Sequence, residues 1–411
     1  MPDKKYRHIF ILYIFLFSFV VRFIYLYFFS RDIIHIERSF FGDAAQYILI
    51  AKNIASGNGF NMLPESHFLA NRAPLFPLIL AGVFKLFGAG YWPARIFQVC
   101  ISSLIPVITY FIGKEIAPKT FGERAATISA CISIFYPFYV FYSAYVLTET
   151  LFVFLSCLSL LYLIRFIKTG FYRDSCLAGV FLGLSALTRP IALGFGLFFV
   201  VCYFFVPRRR PKGIVIILAT MFLVILPWTI RNYVVFKKFV PITTEAGRVF
   251  YSGANPMNKT GGCIRHVDFT EPKETGTMGE VEASKYMFKK GLEFIRHNPV
   301  TFLKMSIKKA GRLWRVFPYW TSGFVNLKYK LISMFSYGLI LPFFLVGIFL
   351  SIRNWKLVLP LYCLILYTSI FCMVFYGTMR FRLPIMPAVI ILASIGIDKL
   401  IKNYKCQIAN E

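Results

Sequence analysis

The chain has 411 residues, 58% of them apolar and 16% charged, with a mean hydropathy of +0.65. An ordinary soluble domain is about 45–50% apolar and about 25% charged, so a cytosolic globular enzyme is excluded and a membrane-embedded chain is the class that fits. The net charge of +28 comes without any RNA- or DNA-binding motif, so it belongs to membrane topology and anionic lipids, with no nucleic-acid partner expected.

From the N-terminus, Lys4-Lys5-Tyr6-Arg7 precedes an apolar run from Ile9 to Phe29. The run is longer than a signal-peptide core and has no small-residue cleavage site, so a retained first span starting in the cytoplasm is expected. A span needs about 20 apolar residues. Further candidates lie near 94–112, 125–144, 150–167, 176–188, 190–206, 213–230, 331–352, 356–376 and 383–400, which makes about ten transmembrane helices. The two short runs meeting at Arg189-Pro190 read either as two spans or as one broken hairpin. Lys114/Lys119/Arg124, Arg165/Lys168/Arg173, Arg208-Arg209-Arg210/Lys212, Arg353/Lys356 and Lys399/Lys402/Lys405 then all fall on the side of the N-terminus, as the positive-inside rule asks. That phase holds if the run from Pro74 to Phe87 stays on the outer side as an interfacial or re-entrant segment. The expected fold class is an all-α polytopic membrane protein with juxtamembrane helices on its outer side. Three parts follow: an N-terminal membrane module over 1–231, a large outer loop over 232–330, and C-terminal membrane helices over 331–411.

Cysteines 100, 131, 157, 176, 202, 363 and 372 sit in apolar runs, where thiols act as small hydrophobes, and Cys263 stands in the long polar loop with no partner there. No CxxC spacing suggests a metal or redox site. Residues 299–317 place Leu303, Ile307, Ala310, Trp314 and Phe317 at helical spacing, interleaved with Lys304, Lys308, Lys309, Arg312 and Arg315. This reads as an amphipathic helix on the outer leaflet, recruiting an anionic lipid-linked acceptor, or as a basic helix packed on the bundle.

Polar residues at the outer ends of the spans need a reason. Ala44, Tyr47, Ile48, Ala51, Ile54 and Ala55 share one helical face, so a helix runs from Asp43 to a stop at Gly57. Asp43 is then either a helix-start residue or a candidate general base. Glu149, after Thr148 as a cap, opens a span at the same depth with the same two readings. Arg72, Arg189, Arg231, Arg380 and Arg382 also lie at that depth. Each alone could snorkel at the interface; together, beside two carboxylates, they suit a lipid whose phosphate sits at headgroup level.

Six landmarks carry a resemblance: Asp43-x-x-x-Tyr47 ending in Gly57-x-Gly59-Phe60, Arg72-Ala73-Pro74-Leu75-Phe76-Pro77, Thr148-Glu149, Leu187-Thr188-Arg189-Pro190, Pro227-Trp228-x-x-Arg231-Asn232-Tyr233, and Arg380-Phe381-Arg382-Leu383-Pro384-x-x-Pro387. In this order the chain resembles the membrane glycosyltransferases of the GT-C fold that use polyprenyl-phosphate sugars, in the branch of protein mannosyltransferases, aminoarabinose transferases and Rgt-like enzymes. The resemblance implies Asp43 as catalytic carboxylate and Glu149 as the second acidic position, where relatives often have Asp. It implies Tyr47, Arg72, Arg189, Arg231, Arg380 and Arg382 around the substrate, with Arg72 near the lipid phosphate. It implies no cofactor beyond the polyprenyl-phosphate sugar, since this branch is regarded as metal-independent, although oligosaccharyltransferases of the same fold use a divalent ion. The implied partners are that donor, an acceptor glycan, lipid or protein, and membrane lipids. The implied place is a bacterial inner or cell membrane, with the site on the non-cytoplasmic side. A transporter or lipid flippase is the alternative reading, although paired repeats with broken helices at mid-membrane are not visible. A non-catalytic assembly protein is a third.

Overall fold

The computed structural model describes residues 4–29, 42–62, 69–116, 122–207, 210–258, 261–262, 271–317 and 327–408. Cys263, Phe41, Lys119, Arg208, Arg209 and the Lys259-Thr260 pair lie outside them. Every regular element among the described residues is helical. In chain order they are α1 (Lys4–Phe28), α2 (Gly42–Ala55), α3 (Leu75–Phe87), α4 (Tyr91–Ile116), α5 (Gly122–Phe135), α6 (Pro137–Ser143), α7 (Thr148–Thr169), α8 (Tyr172–Thr188) and α9 (Ile191–Tyr203). The second half holds α10 (Pro211–Phe236), α11 (Ala246–Gly253), α12 (Glu280–His297), α13 (Pro299–Trp314), α14 (Leu327–Ser333), α15 (Leu339–Ser351), α16 (Trp355–Val374) and α17 (Met386–Ile408).

By length and composition, six helical runs among these residues can cross a membrane, or seven if the bent pair α5–α6 is one span. The expected count of about ten also includes apolar runs shorter than these. Helices α3 and α9 have 13 residues each, about 20 Å at 1.5 Å per residue, against a hydrocarbon core of about 30 Å. The run 327–374 does the opposite and holds two passes. The Tyr362 hydroxyl lies 3.3 Å from the Ile348 carbonyl, 14 residues back. A straight helix would separate those residues by about 21 Å. The chain therefore doubles back at the 3₁₀ turn Ile352–Asn354, beside Arg353.

The bend of 50° between α5 and α6 has a local cause. Pro137 has no N–H, so carbonyls at the end of α5 lose their helical donors. Arg22 of α1, fully buried, supplies replacements: it donates to Ile134 O (3.2 Å) and Ser133 O (3.3 Å), and to Ser102 Oγ (2.8 Å). Helix α8 packs on α7 and α10, α4 on α5 and α7, and α15 on α17. The last contact is backbone-close, because a Cβ on Gly347 would collide with the Leu392 carbonyl; small residues permit such approach in membrane bundles. One end of the bundle collects Lys114–Glu123 (2.9 Å), Arg165–Glu115 (2.9 Å) and Arg124–Asp398 (2.5 Å). The other end carries α2, the 69–74 segment, and helices α11 to α13.

Helix α13 fits the second of the two readings of 299–317, a basic helix packed on the bundle. Lys309 and Arg312 are buried, while Leu303 and Ile307 are 59% and 62% exposed. Lys309 Nζ donates to Met373 O and Val374 O (both 3.3 Å), and Arg312 Nε to Gly377 O (3.2 Å). The carbonyls at the end of α16 have no helical donors, and cations at a helix C-terminus are favoured by the dipole. Burial pulls the Lys309 ammonium down to about 8. These basic side chains are brackets between two helices.

Candidate active site

The start of α2 is legible in its residues. Apolar Ala44, Tyr47, Ile48 and Ala51 form its buried face, and Gly57 and Gly59 follow its end with φ of +83° and +81°, a backbone that glycine tolerates. Asp43 lies in its first turn, where a negative charge suits the helix dipole. At α7, Thr148 is the first helical residue and not the cap; extended Leu147 holds that place without a side-chain cap. Gln98 of α4 fixes this turn by donating to Tyr145 O (2.9 Å) and Leu147 O (2.6 Å). Glu149 is thereby aimed inward at the top of the bundle.

Four segments distant in sequence meet here. Arg72 Nη2 binds Asp43 Oδ1 at 2.9 Å, and Arg380 Nη1 binds Asp43 Oδ2 at 3.1 Å. Arg380 also reaches Glu149 Oε1 through Nε, and Arg189 Nη1 binds the same oxygen at 2.6 Å. Arg380 thus bridges the two carboxylates. Two carboxylates against three guanidinium groups leave one positive charge in surplus. Asp43, Arg72 and Arg380 keep about a fifth of their side-chain surface exposed, between 19% and 21%, whereas Glu149 keeps none. Asp43 is therefore the carboxylate a ligand can touch, and Glu149 stands behind it. Among the described residues, Glu149 Oε2 has no hydrogen-bond donor.

Tyr47 is buried under this cluster, with the Arg72 guanidinium 5.7 Å from its ring centre and Phe76 edge-on at 5.3 Å. Burial pushes its phenol up, with Arg72 opposing. Burial works against the Arg72 charge, but Tyr47 and Asp43 outweigh it and hold that guanidinium above its ordinary value. Arg189 lies over the rings of Phe152 (5.9 Å) and Phe381 (5.5 Å). Those two rings also wall a small void of about 20 Å³, lined further by Ser156, Ser185, Phe195 and Tyr367.

Of the residues singled out in the sequence, the structure brings together Asp43, Tyr47, Arg72, Glu149, Arg189 and Arg380. Two arginines go elsewhere. Arg382 is buried under the Tyr337 ring (3.6 Å) and donates to Arg315 O (2.8 Å), because residues 380 and 382 leave their 3₁₀ turn in different directions. Arg231 donates to Leu69 O (2.9 Å) and lies over Trp228 at 4.8 Å. Both tie backbone segments together and do not contact the two carboxylates.

Three neighbours escaped the sequence reading. Gln46 accepts from Arg72 Nε at 2.8 Å; its place one turn after Asp43 could have disclosed it. Glu245, before α11, faces Arg72 and Asp43 from the long loop, and Glu280 opens α12 nearby. Neither has a local signal. Burial pushes the Glu245 carboxyl up, with Arg72 and Arg248 opposing. Such a group costs stability as pH rises from the ordinary carboxylate range through its raised value. Glu245→Gln is expected to raise the thermal unfolding midpoint at about pH 7.5, and the gain should vanish toward about pH 4, where Glu245 is protonated in both states. Scanning unfolding across that range checks this; a gain independent of pH would point to another cause. No group of three His, Cys, Asp or Glu among the described residues is placed to hold a metal ion.

Comparison with known proteins bears on the fold. Residues 71–230 match the family described as dolichyl-phosphate-mannose-protein mannosyltransferase. No curated protein matches the chain. The oligosaccharyltransferase of the archaeon Archaeoglobus fulgidus, tethered to an acceptor peptide, superposes with a TM-score of 0.60 at 13% identity, over 99% of this chain and 51% of that one. The same enzyme with an inhibitory peptide and dolichol-phosphate gives 0.56 at 14% identity, over 100% and 52%. ArnT from Cupriavidus metallidurans bound to undecaprenyl phosphate gives 0.41 at 13% identity, over 86% and 73%. The chain spans about half the length of the archaeal structures it matches. It has the helical membrane fold of the GT-C glycosyltransferases.

Proposed function

We propose that the chain transfers a sugar from a polyprenyl-phosphate carrier to a hydroxyl acceptor at the non-cytoplasmic face of a bacterial cell membrane. The observation that carries this reading is the meeting of Asp43 and Glu149 with Arg72, Arg189 and Arg380 at one end of the bundle. A phosphodiester-linked sugar carries one negative charge, which guanidinium groups at the site can meet. Guanidinium groups take phosphate oxygens in a planar, two-pronged fashion.

In this reaction the acceptor oxygen attacks the anomeric carbon while its proton passes to Asp43, the exposed carboxylate. The bond between that carbon and the phosphate oxygen breaks, and the electron pair leaves with polyprenyl phosphate. A single displacement of this kind inverts the anomeric configuration. Negative charge grows on the departing phosphate, where Arg72 and Arg380 stabilise it. Glu149 binds Arg380 and Arg189 and so sets the direction of both guanidinium groups.

The test is chemical. Cells lacking the protein should lose one sugar from an envelope lipid, glycan or protein by mass spectrometry, and the purified protein in nanodiscs should restore it from a polyprenyl-phosphate donor. Movement of the intact lipid across a vesicle membrane without release of polyprenyl phosphate would favour a flippase.

A further inference from the structure

Arg72 is carried by a segment with no regular structure, the stretch 69–74 that leads into α3. Its ion pair with Asp43 does not explain how the backbone beneath it is held. Glu280, the first residue of α12 and 211 positions after Leu69, does. Its Oε1 accepts from the Leu69 amide, and its Oε2 accepts from the Ala70 amide (3.3 Å) and the Thr244 hydroxyl (2.6 Å). The Thr244 amide returns a bond to Ala70 O at 3.0 Å, and Arg231 Nη1 takes Leu69 O at 2.9 Å. Both residues just before Asn71-Arg72 are therefore held at donor and acceptor alike.

The other side of this clamp is anchored as firmly. Trp228 Nε1 donates to Ile242 O (2.8 Å), Thr229 Oγ1 to Pro241 O (2.8 Å), and Asn232 Nδ2 to Val240 O and Ile242 O (both 3.1 Å). The Pro227-Trp228-x-x-Arg231-Asn232 motif thus grips the 240–242 backbone with three side chains and the Leu69 carbonyl with a fourth. Ser284, one turn into α12, accepts from the Gly247 amide at 3.0 Å and ties α11 to the same helix.

We infer that Glu280 is a positioning residue for the candidate active site: it locks the Arg72 segment onto the long loop, so that Arg72 is correctly placed only when that loop is folded. Hydrogen bonds from backbone amides to a carboxylate are charge-assisted, and removing one partner leaves half-buried donors unpaired. The role assigned to Arg72 rests on the proposed glycosyl transfer, but the clamp itself does not, and the two are separable by experiment.

Hydrogen exchange by mass spectrometry on the full chain in nanodiscs is the measurement, comparing wild type with Glu280→Gln, Glu280→Ala and Lys289→Ala, a change on the exposed side of the same helix. Both Glu280 variants are expected to speed exchange of the peptide covering residues 69–73 by about 10- to 100-fold, while residues 284–297 and the Lys289→Ala protein keep wild-type rates. Affinity for undecaprenyl phosphate should fall about tenfold in the Glu280 variants alone, and Glu280→Asp should recover part of it. Unchanged exchange at 69–73 would overturn the inference. So would faster exchange spread evenly over 246–297, which would mark Glu280 as a general support of the loop. If wild type itself does not bind undecaprenyl phosphate, the functional reading fails, and the exchange result still decides the clamp.

Discussion

Asp43→Asn is expected to lower sugar transfer by at least about 10²- to 10⁴-fold, the usual contribution of a positioned general base, with expression and membrane insertion unchanged. Asparagine keeps the size of the side chain and one acceptor for a guanidinium group. What it removes is the charge and the capacity to take a proton. Because Asp43 neutralises Arg72 and Arg380 at 2.9 and 3.1 Å, its loss raises the positive surplus facing the donor phosphate. Donor affinity should therefore hold or improve while kcat collapses, the pattern of a group that acts in the transition state and not in binding. Wild-type kcat in this variant would remove the mechanism proposed here. A rise in KM with kcat unchanged would demote Asp43 to a binding residue.

Arg380→Ala should have the largest structural effect of any single change in the cluster. Arg380 is the one cation that touches both carboxylates, and Glu149 has no exposed surface through which water could replace it. Breaking a buried ion pair by removing one partner typically costs about 3–5 kcal/mol, because the remaining charge stays uncompensated. Arg189 still holds Glu149 Oε1 at 2.6 Å, which places the expected loss toward the lower part of that range. The double variant Arg380→Ala/Glu149→Gln separates stability from chemistry. Removing the orphaned charge should restore much of the unfolding midpoint, while transfer stays absent because the departing phosphate has lost its counter-charge. Recovery of transfer along with stability would show that Arg380 serves the fold alone. Thermal unfolding in nanodiscs and a transfer assay on the same preparations give both readouts.

The sequence by itself determined which segments are apolar enough to enter the bundle, where α2 starts and stops, and which charged residues crowd one end of it. These properties are local: hydropathy over a window, a helical period from Ala44 to Ala51, glycines where φ turns positive. The same windows placed a turn between 331–352 and 356–376, where the chain reverses at Ile352–Asn354, but left α8 and α9 readable as two spans or as one broken hairpin.

Only the tertiary structure decided how each helix is rotated about its axis and what waits across the gap. Arg380 and Arg382 are two residues apart and look equivalent in sequence, yet one bridges Asp43 and Glu149 while the other packs on Tyr337. Lys309 and Arg312 stand in a basic stripe that reads as facing the leaflet or the bundle, and in the structure Lys309 takes the carbonyls at the end of α16 and Arg312 that of Gly377 beyond it. Arg231 reads as a substrate ligand and grips the backbone of Leu69, and Glu280 shows no signal at all until Leu69, Ala70 and Thr244 are found around it. The reason is that a charged side chain takes whichever partner its backbone presents to it. For these residues that partner lies tens to hundreds of positions away, beyond the reach of any local pattern.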